Sequence, residues 1–278
     1  MTLGVFLAVL LAAVLHAGWN VVIKVGLSKQ TSAFLLSAGH AAIGLVVVLF
    51  HPLPAPEVWP WIVASGLIHM AYLMLLAYAY EQGDLSRVYP IARGAAPMLV
   101  LLVSLGLLDD KLSPADFAGI LVLGLGIALM ARGVALNGES RKLLPYALGA
   151  AAATAGYTLT DGMGARVSGM PLAFVGWLMI FSAAFFAPAV VALKGRAVLR
   201  ASPRDWGIGM IAAAASFAAY AIAVWAMTVA PIALVAALRE TSILFAVLLG
   251  WAFFGERIDR MKGLAALLIV GGVALTRL

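Results

Sequence analysis

Residues 89–112 read YPIARGAAPMLVLLVSLGLLDDKL, and residues 235–258 read VAALRETSILFAVLLGWAFFGERI. One offset of 146 positions carries Arg93 onto Arg239, Asp110-Lys111 onto Glu256-Arg257, and Gly126-Ile127-Ala128-Leu129 onto Gly272-Val273-Ala274-Leu275. The chain is thus an internal repeat of half its own length. In each copy an arginine sits in the first third of a long apolar segment, where an ionisable group is costly and is kept for a task.

Composition names the solvent. Of 278 residues, 64% are hydrophobic and 11% charged, too few polar side chains to cover a water-soluble globule of this length. Crossing a bilayer as a helix takes about 20 mostly apolar residues. By that rule the apolar runs predict ten spans, near 3–23, 32–50, 58–80, 87–107, 114–132, 145–163, 171–193, 205–229, 231–254 and 260–276. The alternating strands of a membrane barrel are not seen, so the expected fold class is an all-α membrane bundle. A second register, offset by 138, lays Gly18-Trp19-Asn20 of span one on Gly156-Tyr157-Thr158 of span six. Two repeats of five spans follow, residues 1–138 and 139–278. Five crossings are an odd number, so the second repeat enters the membrane from the opposite side, giving an inverted repeat around a central cavity.

The 18 Lys and Arg are unevenly placed. Gaps after odd-numbered spans hold Lys24, Lys29, Arg87, Arg132, Arg141, Lys142, Lys194, Arg196, Arg200, Arg204, Arg257, Arg260 and Lys262, and the opposite side holds Lys111, Arg166 and Arg277. The positive-inside rule then puts both termini outside. The net charge of +6 reports this orientation and not a nucleic-acid partner. The opening MTLGVFLAVLLAAVLHAGWN has no basic n-region and no clear cleavage site, so it is expected to be the first span and not a removed signal.

Several chemistries are excluded. Cysteine is absent, so there is no thiolate nucleophile and no sulfur metal site. His16, His40, His51 and His69 lack metal-site spacing, and no phosphate loop, HExxH or GxSxG occurs. The sequence predicts no metal, no cofactor and no enzyme. What remains is a cavity. Arg93 and Arg239 either line it or are neutralised by carboxylates such as Glu81, Asp161 or Glu240. Pro90 and Pro97 are expected to bend span four beside Arg93. His69 and Tyr72, three apart, share a face of span three. Trp19, Asn20, Tyr157, Thr158, Tyr220 and Trp225 supply aromatic and neutral polar walls. Glu81, Asp161 or Glu240 is expected to carry any coupling proton. The glycines of spans five and ten allow close helix approach, within the chain or between two copies of it as a homodimer.

Two five-span halves, the Gly18-Trp19-Asn20 and Gly156-Tyr157-Thr158 signatures, the Tyr89-to-Gly94 opening with Pro97, and the closing Gly255-Glu256-Arg257 together resemble the EamA family of the drug/metabolite transporter superfamily. The resemblance covers nearly the whole chain. It departs at Leu108-Asp109-Asp110, where the family usually has Leu-Gly-Glu. It implies ten helices, a cavity among helices one to four and six to nine, and similarity to bacterial exporters, hence a multi-pass place in the bacterial inner membrane. It also implies cytoplasmic termini, against the charge count. The expected function is export of small metabolites, amino acids foremost, by alternating access, with Arg93 and Arg239 holding an anionic group. The alternatives are a carrier of phosphorylated or phosphonate metabolites, a cationic-drug exporter, or a membrane scaffold that transports nothing.

Overall fold

The structure, a computed structural model, describes residues 1–23, 29–82, 95–108, 110–135, 143–254 and 260–277. Among these residues every regular element is helical. They are α1 (Leu3–Ile23), α2 (Lys29–Leu49), α3 (Trp59–Gln82), α4 (Ala96–Leu107), α5 (Pro114–Ala135), α6 (Leu143–Ser168), α7 (Pro171–Lys194), α8 (Pro203–Val229), α9 (Ile232–Arg239), α10 (Ser242–Phe254) and α11 (Arg260–Leu275). Short 3-10 turns at Pro56–Val58 and Arg196–Leu199 join α2 to α3 and α7 to α8. Five apolar segments are long enough to cross a bilayer: Gln30–Leu49, Pro56–Ala79, Pro171–Lys194, Pro203–Val229 and Ile232–Leu249. Shorter apolar helices lie at Leu3–Trp19, Ala96–Leu107, Pro114–Leu129 and Gly263–Leu275. Leu45, Val46 and Leu49 of α2, Leu102, Leu105 and Leu107 of α4, and Leu267 and Val270 of α11 are exposed. In water such a surface would aggregate; facing lipid it costs nothing.

Among the described residues, helices other than α9 begin at 3, 29, 59, 96 and 114 in the first half and at 143, 171, 203, 242 and 260 in the second. The last two pairs of starts are 146 apart, the offset that relates Arg93 to Arg239. Packing obeys the same exchange. The largest contacts are α1 on α8, α3 on α6, α2 on α7 and α5 on α11, with α1 on α10 and α4 on α6 below them. Exchanging the halves turns α1·α8 into α6·α3 and α1·α10 into α6·α4, and leaves the other two unchanged. The long helices of each half are thus packed against the other half, which makes one bundle of the two repeats.

Two local devices set the helix ends. Ser113-Pro114-Ala115-Asp116 and Ser202-Pro203-Arg204-Asp205 are the same capping box with proline at the first helical position. The Ser202 N–H donates to Asp205 Oδ2 at 2.9 Å while Asp205 N–H donates to Ser202 Oγ at 3.2 Å; the corresponding distances at Ser113 and Asp116 are 3.1 and 3.0 Å. Glycine sets the closest approach. A Cβ on Gly119 would lie 2.7 Å from Gly272 O, and one on Gly126 would lie 2.9 Å from Ala265 O. By the 146-residue offset these are one contact, made once from each repeat.

The expected span 231–254 holds one apolar segment, Ile232–Leu249, whose helix is interrupted after Arg239. After Arg239 the backbone tightens from i→i+4 to i→i+3 bonds. Glu240 N–H donates to Ala237 O at 3.0 Å, Thr241 N–H to Leu238 O at 3.1 Å and Ile243 N–H to Glu240 O at 3.0 Å. Such a 3-10 interruption inside a long helix marks a hinge or a site. Pro97 stands in the first turn of α4, a position where a missing N–H is tolerated; Pro90 and the rest of the expected start of span four lie outside the described residues.

Candidate functional site

The break after Arg239 opens onto a narrow pocket with room for about one water molecule. Its walls are Ala96, Pro97 and Val100 of α4, Thr154 and Thr158 of α6, and Ala236, Arg239 and Glu240 at the end of α9. Both repeats contribute to it. Discontinuous helices that leave backbone ends beside a cavity are a recurrent way of binding ions inside a membrane.

Arg239 is only 8% exposed and Glu240 3%. The Arg239 guanidinium carbon lies 5.1 Å from the centroid of the Tyr220 ring, a cation resting on an aromatic face. The Tyr220 hydroxyl donates to Asp161 Oδ2, and His69 Nε2 lies 3.0 Å from the same oxygen and 3.3 Å from the hydroxyl. With the proton on Nε2, His69 is a second donor to that carboxylate. His69 stacks on Tyr157 with ring centroids 4.1 Å apart, and Tyr72 meets Tyr157 edge-on at 5.5 Å. Asp161 is 0% exposed. Its second oxygen, Oδ1, is buried with no hydrogen-bond partner among the described residues.

Helical spacing explains why these groups converge. Thr154, Thr158 and Asp161 stand at i, i+4 and i+7 on one face of α6, so the acid continues the stripe that lines the pocket. Counted along each helix at 1.5 Å per residue from the same end of the bundle, Arg239 and Asp161 are both about 10 Å deep, and Tyr220 and His69 about 14–15 Å. That end is the one where the Arg277 guanidinium reaches Met1 O at 3.1 Å.

The same end is tied together by an ion pair and its hydrogen bonds. Arg166, five residues beyond Asp161 on α6, sits 2.8 Å by Nη1 from Asp110 Oδ1. Its Nε donates to Met227 O at 2.9 Å and its Nη2 to Ala230 O at 3.1 Å. Asp110 Oδ2 in turn accepts from Ile232 N–H at 2.8 Å. Asp110 belongs to the first repeat and every partner to the second. At the opposite end Lys194 Nζ lies 2.6 Å from Glu81 Oε1, which also accepts from Gln30, joining α2, α3 and α7.

Of the residues singled out from the sequence, the fold brings together His69, Tyr72, Tyr157, Thr158, Asp161, Tyr220, Arg239 and Glu240. Arg93 and the side chain of Asn20 lie outside the described residues. Trp19 is not in this group: its Nε1 donates to His16 Nδ1 at 3.3 Å and it packs near Leu36, Ala212 and Ala213. Trp225 is 40% exposed and stands apart from the pocket. Glu81 is exposed in its ion pair with Lys194, far along α3 from His69. Sequence reasoning missed the Arg166–Asp110 latch, since Arg166 was read only as a loop charge and Asp110 only as part of the repeated acid-base pair. The signal was an acid and an arginine at two turns on the same side of the membrane.

The model of the EamA-like transporter family matches residues 2–132 and again 142–278. No curated protein matches the chain in sequence. One solved crystal structure, described only as that of a protein, superimposes with a TM-score of 0.78 at 20% identity, covering 99% of this chain and 98% of that one. That likeness concerns the fold. The two family matches cover both repeats, and the chain belongs to the EamA-like transporter family, multi-pass membrane transporters of the drug/metabolite type.

Proposed function

We propose that the chain is a secondary exporter of small metabolites, amino acids foremost, working by alternating access through ten crossings, with α9 and α10 forming one interrupted crossing. The observation that carries the reading is Arg239: a nearly buried cation at a helix break, on the wall of a pocket built by both repeats. Such a cation holds a carboxylate by charge-assisted hydrogen bonds. Tyr157, Thr158, Tyr220, His69 and Tyr72 form the surroundings, and Arg93 is the repeat equivalent of Arg239. Asp161 and Glu240, both buried near Arg239, are better placed than Glu81 to carry a coupling proton. The buried Asp161 favours one second reading, a cationic-drug exporter, because a carboxylate in an aromatic shell suits an organic cation. The charge count supports termini outside a bacterial inner membrane. A homodimer through α5 and α11 would use faces other than Gly119 and Gly126, which are spent inside the chain.

The test is counterflow in proteoliposomes. Liposomes are loaded with unlabelled L-amino acids, organic phosphates or cationic dyes, and entry of the labelled counterpart is followed. Exchange of amino acids is the expected result. Exchange of phosphates or dyes alone replaces the substrate class, and exchange of nothing favours a scaffold.

A further inference from the structure

We propose that Asp161 receives the ammonium group of a zwitterionic substrate whose carboxylate is held by Arg239, so that the site recognises free α-amino acids by both charges. The inference rests on the amino-acid reading above and narrows it.

Three observations carry it. First, Asp161 is fully buried, its Oδ2 taken by Tyr220 and His69, while Oδ1 has no hydrogen-bond partner among the described residues. A buried carboxylate oxygen left unpaired is costly, and a ligand donor removes that cost. Second, the neighbours of this oxygen suit an ammonium group. His69, Tyr157, Tyr220 and Tyr72 form a connected aromatic shell, and ring faces attract cations. Third, the opposite charge is at hand. Tyr220 bridges the two groups, its hydroxyl on Asp161 and its ring face under Arg239, so cation and acid lie one tyrosine apart at one depth. Thr158, on the pocket wall with Arg239, stands three residues from Asp161 on the same α6 stripe. An α-amino acid carries its ammonium and carboxylate on a single carbon and answers both charges; a simple carboxylic acid answers only Arg239. Fixing Asp161 by two donors on Oδ2 leaves Oδ1 pre-oriented, which spares the substrate that ordering cost.

The experiment uses the intact chain in proteoliposomes. Counterflow of labelled L-phenylalanine, L-leucine and L-threonine is competed by the unlabelled amino acid, by its des-amino carboxylic acid and by its decarboxylated amine. The expected result is that the amino acid competes on the order of 100-fold better than its des-amino acid, because the latter leaves a buried polar group unpaired. In Asp161→Asn that ratio falls to a few-fold, while discrimination against the amine, which depends on Arg239, persists. A residue that only carried a coupling proton would lose pH-driven accumulation and keep the ratio, and that outcome overturns the proposal. The wild-type competition stands alone if Asp161→Asn does not fold: equal competition by the des-amino acid overturns the proposal while leaving transport of small carboxylates intact. If none of the three amino acids exchanges, the substrate reading falls and this inference with it.

Discussion

Replacing Asp110 by asparagine should open the bundle at the end where the chain termini meet. The substitution keeps the oxygen that accepts from Ile232 N–H and removes the negative charge that holds Arg166. Two Arg166–Asp110 contacts, at 2.8 and 3.2 Å, are weakened. The Arg166 side chain is 32% exposed and that of Asp110 11%, so the pair is partly screened and is worth about 2 kcal/mol, between an exposed and a buried ion pair. Because Asp110 belongs to one repeat and Arg166 to the other, this energy counts only in the conformation closed at that end. Losing it shifts the closed-to-open ratio about 30-fold. The sequence contains no cysteine, so a single Ala236→Cys on the pocket wall reports access without a background. Labelling by a membrane-impermeant maleimide from the terminal side should be about 30-fold faster in Asp110→Asn, and the exchanged pair Asp110→Arg with Arg166→Asp should restore part of the protection. Unchanged labelling together with a lowered melting temperature would refute the latch and leave a static anchor.

Other outcomes follow from single contacts. Tyr220→Phe removes a donor from a buried carboxylate and should cost about 1–3 kcal/mol, read as a melting shift of a few degrees in detergent; no shift would show that the Asp161 cluster is not formed. Gly272→Ala sets a Cβ 2.6 Å from Leu123 N and 2.7 Å from Gly119 O, backbone atoms that cannot yield, and should destabilise the α5·α11 contact by about 1–3 kcal/mol. Gly271→Ala, where nothing lies within 4 Å, is the control and should be near neutral or slightly stabilising through helix propensity.

Much of this architecture was legible because a repeat leaves two witnesses to each feature. The offset that carries Arg93 onto Arg239 also relates the helix starts at 96 and 242, although the apolar runs had placed those spans at 87–107 and 231–254. The break at Glu240–Thr241 was not legible: neither glycine nor proline marks it, and the apolar run on either side reads as one span. The 3-10 bonds there come from tertiary surroundings that no local pattern records. Asp161, His69 and Tyr220 could each be named as unusual in a membrane helix, but their union could not. Tyr220 lies 59 residues from Asp161 and His69 lies 92, and only the α3·α6 and α6·α8 packing brings them together. Trp225 shows the converse, since an aromatic residue near a helix end suits a lipid boundary as well as a cavity, and burial alone separates them. The two Ser-Pro-x-Asp caps, which set the starts of α5 and α8, went unread in the sequence.

The most direct measurement of the central claim is counterflow of L-amino acids by Arg239→Met beside the wild type, in proteoliposomes with matched amounts of folded protein. Methionine keeps the unbranched stem against Tyr220 and removes the cation. Loss of exchange by 10-fold or more at low substrate, a transition-state or binding loss of at least about 1.4 kcal/mol, is the predicted result. Exchange that survives unchanged would contradict it, and would make Arg239 a structural residue of the helix break and not the anchor of the substrate.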